Sequence, residues 1–153
     1  MNGKNALYAA LLLLFACSRL DTLSSELLDQ AETRWKRANI QSYQLQVEMK
    51  GDRVEKALFE VSVRGGQVVS LKRNGQDVGI TPERDYSIAG LFRTLHQELD
   101  LAGKPVLLGA PEGYSAYPMA SFDEQTGRLL QYRRTVGGAS NTIDIRVVEF
   151  KAQ

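Results

Sequence analysis

Tyr43-Gln44-Leu45-Gln46-Val47-Glu48-Met49 decides how this chain folds. Apolar residues alternate with Gln and Glu, and successive side chains on a strand point to opposite faces. The segment reads as a strand with one face in a core and the other in water. The same period recurs in Ala57, Phe59, Val61 and Val63, in Val68 to Leu71, in Tyr117 to Phe122, in Leu130 and Tyr132, and in Ile143, Ile145 and Val147. Turn signals separate these runs: Gly51-Asp52, Gly65-Gly66, Asn74-Gly75, Asp123 to Gly127 and Gly137 to Asn141. Asn74-Gly75 is the strongest, because both central residues of a type I′ turn need positive φ. A short further strand is expected over Val78 to Ile80.

Two segments carry the helical period instead. Leu23, Leu27, Leu28, Ala31, Trp35 and Ala38 form an apolar stripe, predicted to run to about Ala38 behind a cap at Asp21 or Ser24. Glu32 and Lys36 make an i,i+4 pair on its other side. The stripe suits packing on a sheet. Arg34, Lys36 and Arg37 also give the helix a thin basic edge that would suit a bilayer surface. Ile88, Leu91, Phe92, Leu95 and Leu99 define the second helix, which follows Ser87. Gly103, in a left-handed conformation, and then Pro105 are expected to end it. Thr81-Pro82 opens a helical turn, and Val106 to Leu108 starts an extended piece. The expected fold is α+β: an antiparallel meander sheet of about six or seven strands with two helices packed on one face.

The N-terminus sets location. Lys4 precedes an unbroken apolar run from Ala6 to Ala16. As a helix that run is about 16 Å long, too short for a hydrocarbon core of about 30 Å, but suited to a signal-peptide core. Leu14-Phe15-Ala16-Cys17 resembles the lipobox of bacterial lipoproteins, with Phe15 bulkier than the residue usual there. The resemblance implies cleavage before Cys17 and a diacylglyceryl group on its sulfur. The alternative is a buried thiol at the end of an apolar helix. Ser18 resembles the residue that sends such proteins to the outer membrane. Residues 1–16 are then a leader, 17–22 a lipidated tether and 23–153 one domain. The chain has 19 basic and 18 acidic residues, and the leader holds one Lys and no acid, so the domain is neutral. A neutral domain lacks the positive footprint of a nucleic-acid binder. Cys17 is the single cysteine, so no internal disulfide forms.

Trp35, Ile40, Ser42 and Tyr43 resemble the Trp…Ser-Tyr opening of a family of small bacterial envelope lipoproteins of unknown function. Gly66-Gln67-Val68 is similar to its Gly-x-Val hairpin. Tyr86-Ser87-Ile88 with Leu91-Phe92 is similar to its helix start, and Ala116-Tyr117-Pro118 to its Gly-Tyr-Pro, with Ala in place of Gly. The resemblance spans residues 35–150. It implies location and fold, and brings no reaction, cofactor or catalytic residue.

Catalytic patterns are sparse. His96 is the only histidine; Glu98 and Asp100 lie near it in sequence, and zinc wants three or four ligands. No metal site and no cofactor beyond the lipid on Cys17 are expected. Gly113-Tyr114-Ser115 lacks the second Gly and the strand-to-helix context of a nucleophile elbow. Asp123 and Glu124 are adjacent in a hairpin loop, and Arg133 and Arg134 read as alternate strand positions. The expected function is therefore binding, with no catalysis. Tyr114 and Tyr117, in the loop between Pro111 and Pro118, are the candidate contacts for an envelope protein partner, since tyrosine offers rigid area with a polar handle. An alternative is a periplasmic carrier or sensor of a small apolar ligand, in a cavity lined by Phe59, Leu95 and Tyr132. A hydrolase ranks last.

Overall fold

A computed structural model describes residues 19–153. The leader and Cys17 lie outside the described residues. In chain order the elements are β1 (Asp21–Thr22), α1 (Ser25–Ala38), β2 (Tyr43–Gly51), β3 (Ala57–Arg64), β4 (Gln67–Arg73), β5 (Gln76–Asp77), α2 (Ile88–Ala102), β6 (Ala116–Phe122), β7 (Leu129–Val136) and β8 (Ala139–Ala152). Short 3₁₀ turns cover Pro82–Arg84 and Pro105–Leu108. The strands form one sheet in the order β1-β6-β7-β8-β2-β3-β4-β5, antiparallel throughout. Two meanders, β2 to β4 and β6 to β8, thus join along β2 and β8, with α2 as the crossover.

The sheet has eight strands where six or seven were expected. The additions at its edges, β1 and β5, are two residues each, too short to show a period. β1 falls in the expected tether, where Asp21 pairs with Ala120 and Thr22 with Met119. β5 precedes the expected Val78 to Ile80. Asn74 and Gly75 both have positive φ, as a two-residue turn requires, and their flanks Arg73 and Gln76 pair at once.

Three further expectations change. Gly103 closes α2 in a right-handed conformation, and the left-handed residue is Gly109. Val106 to Leu108 belongs to a 3₁₀ turn, because Pro105 has the φ of a first helical position and starts a new turn. Only Gly137 and Gly138 turn between β7 and β8, so Asn141 lies on a strand.

One face of the sheet holds the core. Tyr43, Leu45, Val47, Phe59, Val61, Val63, Leu71, Tyr132 and Ile145 meet Leu28 and Ala31 of α1 and Ile88, Leu91, Phe92 and Leu95 of α2. Trp35, Tyr43 and Phe150 make edge and tilted ring contacts at 5.3–6.1 Å. The Tyr43 hydroxyl accepts the Ile88 N–H (3.0 Å), and the Ser87 side chain accepts that of Gly90 (3.0 Å). Together they satisfy two orphan donors at the start of α2. Ser24 caps α1 by accepting the Leu27 N–H (3.2 Å). The opposite face is polar and open, as the alternation in β2 requires.

Candidate functional site

The start of β6 lies beside the end of β7 and the start of β8: Ala116 pairs with Val136, and Val136 with Ala139. A small second core sits there. Leu108, Ala110 and Val136 are buried, with Leu101, Ala116 and Ala139 packed on them. Asn141 ties the loop down by donating to the Leu108 carbonyl (3.0 Å), and Arg53 donates to the Ser140 carbonyl (3.1 Å).

This anchored loop presents apolar side chains to water. Val106 and Leu107 are each 69% exposed. Tyr114 is 54% exposed and sits over the β7–β8 turn, where a Cβ on Gly137 would come within 3.0 Å of its ring. Tyr117 is 56% exposed and faces the open side of the sheet beside Thr135. Single exposed apolar residues are ordinary on a protein surface. Consecutive large ones on a loop with its own core resemble an interaction surface. The sequence pointed to the two tyrosines. It did not point to Val106 and Leu107, because Val106 to Leu108 resembles any buried strand start.

The chain enters at the far end of β6. Asp21 pairs with Ala120, so Arg19 lies toward Phe122 and the Asp123–Arg128 hairpin, while the Tyr114 loop lies at Ala116. The seven residues of β6 separate the two ends, about 20 Å at strand rise.

The other candidates separate in space. His96, Glu98 and Asp100 do not converge. Glu98 is buried, accepting from the Tyr132 hydroxyl (2.8 Å) and from Arg134 Nη1 (2.5 Å) on the same oxygen. Arg134 also donates to the Asn141 carbonyl and side-chain oxygens. This network ties α2 to β7 and β8. Burial, with the Glu98 charge next to it, pushes the Tyr132 hydroxyl well above the ordinary tyrosine range. His96 instead meets α1: its Nε2 is 3.2 Å from Glu32, and Asp29 lies close enough that the three groups could share a cation. Lys36, at 3.7 Å, already neutralises part of Glu32. Asp100 is exposed.

Ser115 is exposed, and its hydroxyl has no partner among the described residues. Asp123 braces its hairpin by accepting from the Thr126 N–H (2.7 Å) and hydroxyl (2.8 Å). Burial would raise its pKa, but those bonds and the Arg128 charge outweigh it, so the carboxyl titrates below its usual range. Glu124 is exposed. Arg133 and Arg134 point to opposite faces, as alternate strand positions do. Phe59, Leu95 and Tyr132 are buried in the main core, with Phe59 stacked on Tyr86 at 3.8 Å. All three are at most 6% exposed.

No protein-family model matches the chain, and no curated protein matches it.

Proposed function

We propose that the protein is a bacterial envelope lipoprotein, held to the membrane by a lipid on Cys17 with its domain in the periplasm, and that it acts as a non-catalytic accessory subunit of an envelope protein complex. The exposed apolar loop of Val106, Leu107 and Tyr114, at the end of the sheet away from Arg19, carries this reading. A lipid two residues before Arg19 would set the hairpin end on the bilayer and turn the apolar loop toward a partner. The Leu14-Phe15-Ala16-Cys17 leader supports the anchor, and no helix among the described residues is long and apolar enough to cross a membrane.

Mild-detergent purification followed by mass spectrometry tests it. Wild type should retain a stoichiometric partner and carry a diacylglyceryl mass on Cys17. Cys17→Ser should lose the lipid and leave the membrane fraction. Leu107→Asp with Tyr114→Ala should lose the partner and stay membrane-bound. A partner retained by that double variant would remove the loop from the account.

A further inference from the structure

The open face of the sheet holds a depression of about 370 Å³ where β7, β8 and β2 run side by side. Arg133, Asp144 and Lys50 form one cross-strand row on this face, and Gln131 and Arg146 are paired in the adjacent row. All five line the depression. The positive groups stand at the rim: Lys50, Arg133 and Arg146 are exposed, and none makes an ion pair or side-chain hydrogen bond among the described residues. Two acids share the lining, the buried Asp144 and the exposed Asp52. Asp144 is 8% exposed and accepts from Gln131 Nε2 (3.0 Å). Asp52 accepts the Thr142 N–H (2.7 Å). Gly51 keeps the two backbones close, since a Cβ there would meet the Thr142 carbonyl oxygen at 2.4 Å.

We propose that this depression binds a phosphate-class oxyanion, through Arg133, Arg146 and Lys50. Three cations on three adjacent strands, fixed by the ladder, converge on one space. A carboxylate has two oxygens and is satisfied by a single guanidinium fork. A phosphate carries more charge and further oxygens, so it can meet all three cations at once. Asp144 lies buried beneath the site and is engaged by Gln131, and the lining, with three cations against Asp52 and Asp144, remains net positive. The oxyanion can be free phosphate or the phosphoester of a lipid headgroup. This site does not depend on the apolar loop.

The test is calorimetric titration of the full chain, in an uncharged detergent at low salt. One arm uses inorganic phosphate and the other short-chain phosphatidic acid. Saturable binding is expected in at least one arm; the lipid alone would identify a headgroup, and inorganic phosphate a free oxyanion. Arg133→Gln with Arg146→Gln should weaken binding at least tenfold at an unchanged thermal midpoint. Arg133→Lys with Arg146→Lys keeps the charge and loses the forks, and should fall between. Arg93→Gln, which removes the partner of Asp85 on α2, should bind as wild type does. No saturable binding in either arm, or binding that survives the glutamine pair, overturns the proposal.

Discussion

Glu98 and Arg134 form a buried ion pair between α2 and β7. Taking both charges out of water is costly, and the pair is tolerable because Tyr132 and Asn141 satisfy further groups around it. Removing one partner leaves the other charge buried alone. Glu98→Ala should therefore destabilise the fold by about 3–5 kcal/mol, measured as a shift of the urea unfolding curve. Glu98→Leu with Arg134→Met should recover most of the loss. The sequence hid this pair. Glu98 sits among charged neighbours, and nothing local says that its helix turns it onto a tyrosine and an arginine some 35 residues away. Tyr114, in the loop, and Tyr117, on β6, are both exposed, and both were legible as candidate contacts because turn residues surround them in the sequence.

Acid sensitivity also belongs to single residues. Burial works to raise the Asp85 carboxyl, but hydrogen bonds from Ser87 and the Arg93 charge outweigh it and hold the group below its usual range. Asp123 behaves alike through Thr126 and Arg128. Folded-state values below the unfolded ones mean that the unfolded chain binds more protons as pH falls. The stability these groups contribute is complete above the ordinary carboxylate range, at about pH 4. It is lost as pH drops through the folded-state values. Asp85→Asn with Asp123→Asn should be less stable than wild type at pH 7 and show a flatter decline below pH 4, followed by urea midpoints across that range.

At the scale of elements, the strand period located the six long strands and the helical period located both helices. Their cross-strand partners were beyond it. β2 finds β8 a hundred residues on, with a register shift between Gln46 and Val47, and no local pattern specifies that match. Gly127 shows how a local signal and a distant contact coincide. Its positive φ closes the β6–β7 hairpin, and a Cβ there would also meet the Ala31 carbonyl of α1 at 2.1 Å. Gly127→Ala should cost more than the about 1 kcal/mol expected of φ alone, because α1 must move away. Gly75→Ala, which has positive φ and open space, should cost only the φ penalty. Comparing the two thermal midpoints separates strain from contact.

The whole molecule has two unlike ends and two unlike faces. One end receives the described chain at Arg19 and presents the Asp123–Arg128 hairpin; the other presents Val106, Leu107 and Tyr114. One face is covered by helices and the other is polar. The proposed anchor rests on the Leu14-Phe15-Ala16-Cys17 pattern alone, whereas the opposition of the two ends follows from pairing β1 with β6, and a two-residue strand leaves no trace in a sequence. Site-specific photo-crosslinking in intact cells tests that opposition most directly, with the probe placed at Leu107 in one strain and at Gln125 in another. The account predicts a discrete protein adduct from Leu107, and lipid adducts without that protein from Gln125. The same protein captured from Gln125 and not from Leu107 would contradict it.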